Sequence, residues 1–189
     1  TVTFKANDTV LGASPLDGSG RATLSTSSLS VGWNTIRAEY GGDDNLAPSS
    51  DRFSQYVDRA GPVATLASSA NPSVYGQPVT FTATMAAPGA GTPSGTVSFS
   101  VGTGAPIAAT VDASGIASCT SSALPVGTHT ISAAYGGDAR FAPASATLAG
   151  GQTVNKAATT TAIAGHSPEP SDAGVAVTVA FSVAAVAPG

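Results

Sequence analysis

Few side chains in this sequence are equipped for chemistry, and they lie far apart. Asp43, Asp44 and Asp138 come first, because a hard cation such as calcium takes about six to eight oxygen ligands and clustered carboxylates supply them. Where the surrounding stretch recurs, however, Asp44 gives way to Ala139, and no DxDxDG loop is present. The ligand count therefore favours carboxylates that cap turns over a calcium site. His129 and His166 have no Cys or Glu at metal-ligand spacing. His129 stands where the first copy has Asn34, which argues against a role shared by the copies and for a structural hydrogen bond. Gly165-His166-Ser167-Pro168-Glu169 has the outline of a nucleophile elbow. That turn needs Gly two residues past the Ser and a helix behind it, and Pro168 and Glu169 deny both. Glu39 and Glu169 are the only glutamates and belong to different segments, so they form no glycosidase-type pair. Cys119 is the single cysteine and aligns with Leu24, the place of a small buried hydrophobe. Trp33, Tyr75 and Phe141 are the ligand-contact candidates, since an exposed ring stacks on a sugar face or anchors a protein partner. No catalytic residues and no cofactor are expected.

The composition narrows the partners. Seven Lys and Arg against eleven Asp and Glu leave a net charge of −4, and the basic residues are scattered from Lys5 to Lys156. A phosphate backbone needs a concentrated basic face, so nucleic acid is excluded as a partner. The most apolar run, residues 173–187, alternates Val175, Val177, Val179, Phe181 and Val183 with smaller side chains. Period two predicts a strand and no membrane insertion.

The elements that must position these residues are announced by repetition. AEYGGDDNLAPSS at 38–50 returns as AAYGGDARFAPAS at 133–145, and residues 19–43 return as 114–138, an offset of 95 positions. QYVDRA at 55–60 returns as QTVNKA at 152–157, and residues 63–85 return more faintly as 160–183. Such a period is the length of one small β-domain. In this phase residues 61–157 hold a complete module, residues 1–60 the back part of another, and residues 158–189 the front part of a third. The simplest account is a piece cut from a longer array. In the second account the front part of one chain completes the back part of another, since half-sandwiches carry bare core and unpaired edges.

Within the complete module, Val79, Phe81, Ala83 and Met85 alternate with Thr80, Thr82 and Thr84, and two further runs alternate likewise. One face is apolar and one is Thr/Ser, as in a sheet packed on one side only. The pattern predicts strands at about 63–69, 78–86, 95–101, 107–111, 116–122, 128–135 and 146–154, an all-β immunoglobulin-like antiparallel sandwich. The repeated motif then reads as a turn. Tyr40 and Tyr135 end inward-facing strands. Gly41-Gly42 and Gly136-Gly137 permit a sharp bend, Asp43 and Asp138 accept backbone N–H bonds within it, and Pro48 and Pro143 stand where the last strand begins.

These features resemble the bacterial immunoglobulin-like repeats of large surface and secreted proteins. The resemblance rests on Pro-Val-Thr-Phe-Thr-Ala-Thr at 78–84, Pro-Ser-Gly-Thr-Val-Ser-Phe at 93–99, Leu-Pro-Val-Gly-Thr-His-Thr-Ile at 124–131, the Ala-Ala-Tyr-Gly-Gly-Asp ending at Asp138, and the Gln-Thr-Val-Asn-Lys-Ala junction. It implies an extracellular or cell-surface location. It also implies a non-catalytic stalk in an adhesin-type array whose partners are neighbouring repeats of the same chain. Two alternatives stay open: an adhesive module that recognises a glycan or matrix protein through its end loops, and an accessory domain of a secreted hydrolase.

Overall fold

The computed structural model of the chain describes residues 1–187. Residues 188 and 189, the end of the segment expected from 158 onward, lie outside the described residues. All regular structure among the described residues is β. The chain divides into two units, one of residues 1–60 with 139–141 and one holding the remainder.

In the first unit, β1 (Val2–Ala6), β2 (Thr9–Ser14), β3 (Gly32–Tyr40) and β4 (Ser49–Val57) make an antiparallel sheet in the order β2-β1-β3-β4. Asn7 and Asp8 join β1 to β2 with φ of 45° and 68°, the paired left-handed residues of a two-residue hairpin. Alternation gives the sheet two unlike faces. One carries Phe4, Ile36, Phe53 and Val57. The other carries Lys5, Arg37 and Glu39, with Lys5 Nζ 2.7 Å and Arg37 Nη1 3.1 Å from the Glu39 carboxylate.

In the second unit the elements run β5 (Val63–Ser68), β6 (Ser73–Val74), β7 (Val79–Ala86), β8 (Thr96–Val101), β9 (Ile107–Thr110), β10 (Ile116–Ser121), β11 (Gly127–His129), β12 (Ile131–Tyr135), β13 (Ala144–Thr147) and β14 (Gln152–Asn155). They form three small sheets, ordered β10-β7-β5, β13-β12-β8-β9 and β11-β14-β6. Every pairing is antiparallel except that of β14 with β6. The inward residues of β7 are buried together with Val97, Phe99, Ile131, Ala133 and Tyr135, a core drawn from facing sheets. Burying one ring such as Phe81 or Phe99 stabilises by about 1.5–3 kcal/mol. On the outer face, cross-strand Thr80 and Thr120 bond through their hydroxyls at 2.9 Å.

Two of the expected strands are each two strands. The run 128–135 breaks at Thr130, where β11 leaves the sheet of β14 and β12 joins that of β8. The run 146–154 breaks at Gly150-Gly151, between β13 in one sheet and β14 in another. Gly151 has φ +70°, and a Cβ there would meet His129 O at 2.7 Å. The crossing is built on glycine because no side chain fits it.

Residues 21–29 of the first unit depart from their copy. Their equivalents include β10, yet they form no strand. β10 pairs with β7, and nothing in residues 1–60 corresponds to β7, so this stretch has no ladder to join.

Beyond β14, β15 (Thr159–Ser167) and β16 (Thr178–Ala185) pair antiparallel as a two-stranded hairpin. β16 begins later than the alternation from Val175 predicts. Every residue of both strands is exposed.

Candidate functional site

The recurring turn gathers the polar side chains. After Tyr40 closes β3, Gly42 takes φ +82°, and a Cβ there would lie 2.7 Å from Leu46 O. Asp43 then holds the loop together. Its Oδ1 accepts the N–H groups of Asn45 and Leu46, both at 2.9 Å, and its Oδ2 accepts the Tyr40 hydroxyl at 2.5 Å. That hydroxyl, followed by the Asn45 N–H, holds the Asp43 carboxyl below its usual range. The carboxylate in return pushes the Tyr40 phenol up. In the second copy, Asp138 Oδ2 accepts the backbone N–H and hydroxyl of Ser94 at 3.0 and 2.7 Å, and Tyr135 donates to Ser94 O at 2.7 Å. Burial above all pushes the Tyr135 phenol up. In both copies the tyrosine hydroxyl and the aspartate carboxylate are bonded, and the closures differ in what else they hold. Asp43 ties its own loop, and Asp138 also fastens its turn to Ser94, two residues before β8. Among the described residues no three His, Cys, Asp or Glu side chains gather so as to hold a metal ion.

The aromatic candidates separate. Trp33 is 71 % exposed, and its ring meets Tyr56 edge-on with centroids 5.0 Å apart. The two are direct partners across β3 and β4. In the second unit the same positions are Thr128 and Thr153, also cross-strand partners. Tyr56 was not among the expected contacts; the signal was its place in QYV, where the other copy has QTV. Beside this pair, on the same face, Thr35, Arg37 and Arg52 line a polar hollow of about 620 Å³ together with Asn7, Asp8 and Asp51. Tyr75 is exposed after β6. Phe141 is a correction: it is 2 % exposed, although its counterpart Leu46 is 59 % exposed. A ring buried to that degree presents no face to a ligand.

His129 makes the structural hydrogen bond expected of it, and only the argument against a role shared with Asn34 requires a correction. Its Nε2–H donates to Pro125 O at 2.7 Å, and Asn34 Nδ2 donates to Ser30 O at 2.7 Å. Ser30 and Pro125 are equivalent positions, so Asn34 and His129 do share a role, tying the strand entry to the carbonyl four residues back. Two unlike side chains perform it because the bond needs only an N–H at the right reach. His166 Nε2 lies 3.0 Å from Glu169 Oε2 in an exposed turn, with no helix behind Ser167. Cys119 is buried, and burial raises its thiol, which keeps it protonated.

The side chain that sequence reasoning overlooked is Gln152. It is fully buried. Its amide accepts the Ser68 hydroxyl at 2.6 Å and donates to Ala70 O at 2.8 Å and Ser73 Oγ at 3.1 Å. It therefore pins the bend between β5 and β6 to β14. The signal was its recurrence as Gln55 at the start of the repeated junction, QYV in one copy and QTV in the other.

The paired sheets, the alternating core and the strand that switches sheets define an immunoglobulin-like β-sandwich. The family model of the bacterial Ig-like domain (group 3) matches residues 1–58 and 66–155. The chain belongs to that family, whose domains are generally non-catalytic and typically occur in extracellular or surface proteins of bacteria. Comparison with curated proteins and with solved structures gave no match. No helix among the described residues is long and apolar enough to cross a membrane.

Proposed function

We propose that the chain is a structural spacer, consecutive immunoglobulin-like modules of a bacterial surface or secreted protein that carry another part of that protein away from its anchor. The observation that carries this reading is the use made of the recurring turn: Asp43, Asp138 and both tyrosines are engaged by the fold's own donors and acceptors. A motif repeated for architecture recurs in every module, whereas a ligand site need occur only once. The connection from β4 at Val57 to β5 at Val63 is short and contains Pro62, which limits hinge freedom. Calcium plays no part in this reading, so the thermal melt of the chain is expected to be the same with calcium and with chelator.

A second reading has its own observation. Trp33, Tyr56 and the polar hollow share one face of the first sheet, an exposed aromatic platform beside hydrogen-bonding groups, the layout that suits a sugar ring. A screen of the chain against glycans and matrix proteins separates the two. The spacer reading expects no saturable binding. Saturable binding that Trp33→Ala abolishes replaces it with the adhesive one.

A further inference from the structure

The solvent face of the first sheet carries side chains that the repeated architecture does without. On the complete module the corresponding face holds the cross-strand pairs Thr128–Thr153, Ser132–Ser100 and Ser132–Thr147. Thr128, Ser100 and Thr147 are exposed there, so this is a face that a whole module turns to water. On the first sheet the same pairs are Trp33–Tyr56, Arg37–Lys5 and Arg37–Arg52. Like charges directly opposite one another destabilise a sheet, and a bare Trp gains nothing from water. Stability does not account for these residues.

Their layout describes a ligand. Trp33 is 71 % exposed and Tyr56 48 %. Their planes meet at 61°, so the two rings cannot both lie against one flat surface, whereas a single sugar stacks on one ring and abuts the other. Arg37 and Arg52 lie four residues further along β3 and β4, roughly 13 Å away at about 3.3 Å per residue. Between them and the rings stand only Thr35 and Ser54, short and exposed. A ligand that reaches both ends is therefore longer than one sugar. At the far end is the hollow of about 620 Å³, where Arg37 and Arg52 supply donors and Asp8 and Asp51 acceptors. Arg37 is held in place by Glu39 Oε1 at 3.1 Å and Ser50 Oγ at 3.2 Å. Lys5, Arg37 and Arg52 are balanced by Asp8, Glu39 and Asp51, so a polyanion gains no net attraction here, and the net charge of −4 opposes it. A sugar hydroxyl both donates and accepts, which matches this mixed set.

We propose that the solvent face of residues 1–60 binds a single chain of a neutral oligosaccharide laid along β3. One sugar stacks on Trp33 beside Tyr56, and the hydroxyls of a later sugar bond to Arg37, Arg52, Asp8 and Asp51. The proposal rests on the second reading above and deepens it by naming the class of glycan. The complete module, with Thr and Ser at the same positions, keeps the spacer role.

The test is calorimetric titration of the whole chain with soluble neutral oligosaccharides of glucose and mannose in several linkages, with their monosaccharides, and with an oligogalacturonate as the acidic comparison. A neutral oligosaccharide is expected to bind saturably, its monosaccharide about tenfold more weakly or worse, and salt to leave the affinity unchanged because no net charge is involved. Trp33→Ala and Arg52→Thr each weaken binding about tenfold or more; both positions are exposed, so neither change disturbs a packed core. Thr128→Ala, at the position of Trp33 on the complete module, leaves it unchanged. Microcrystalline cellulose, a flat array of chains, is expected not to retain the protein. Binding that survives Trp33→Ala or Arg52→Thr, that the monosaccharide equals, or that Thr128→Ala removes overturns the proposal, as does retention on the flat array. Binding confined to the oligogalacturonate, or lost in salt, overturns the neutral class while leaving a glycan site that Trp33→Ala identifies. Absence of binding to any saccharide overturns the proposal and the reading on which it rests together.

Discussion

At the scale of single residues, the Tyr40–Asp43 bond is strongest while the phenol is protonated and the carboxylate ionised. Asp43 has its pKa depressed from 3.8, chiefly by the Tyr40 hydroxyl. Its contribution is present above the unfolded value and is lost as pH falls through the folded one. Tyr40 has its pKa raised from 10.0 by Asp43, so its contribution is present below that value and is lost as pH rises through the folded one. The turn is therefore expected to loosen at both ends of the pH scale. Amide exchange at Asn45 and Leu46, corrected for intrinsic rates, is the measurement; in Asp43→Asn the acid limb should vanish. Glycine gives a second residue-scale prediction. Gly151→Ala places a Cβ at a left-handed φ and against His129 O, and is expected to cost about 2 kcal/mol or more. Gly136 has no atom near its absent Cβ, so Gly136→Ala is expected to stay within about 0.5 kcal/mol. Chemical denaturation of the two variants reads the difference.

At the scale of elements, equivalent positions in the two units answer differently to the same change. Phe99 is fully buried, and Phe99→Ala is expected to cost about 3–5 kcal/mol. Phe4, its equivalent on β1, is only partly covered, so Phe4→Ala should cost about 1–2 kcal/mol from the transfer of a half-buried ring. Denaturant midpoints of the two variants test this. The same contrast explains what was legible in the sequence. Period-two alternation placed β7, β8 and β12 closely, and Asp-Ala-Ser-Gly marked the turn from β9 to β10, which joins two different sheets and is no hairpin, where Asp112 Oδ1 accepts the N–H groups of Ser114 and Ile116. Alternation continues through a sheet switch, however, since crossing from one sheet to the other leaves the inward side chains inward. The breaks at Thr130 and Gly150-Gly151 therefore left no periodic trace. Residues 21–29 erred in the opposite direction: they carry the pattern of β10, but a strand needs a neighbour to pair with. At the candidate site, chain distance hid the rest. The Asn34 and His129 bonds look unlike in type, the Trp33–Tyr56 contact joins β3 to β4, and Gln152 meets partners 79 or more positions away.

At the scale of the whole molecule, the uneven covering of equivalent core positions predicts uneven melting. The β5–β14 module buries its apolar residues on facing sheets and pins them through Gln152, whereas the sheet of residues 1–60 leaves much of one face bare. Calorimetry of the chain is expected to show two transitions, the lower belonging to the first sheet and the upper to the complete module, a departure from single-domain two-state behaviour. Phe99→Ala should lower only the upper transition, and Phe4→Ala only the lower.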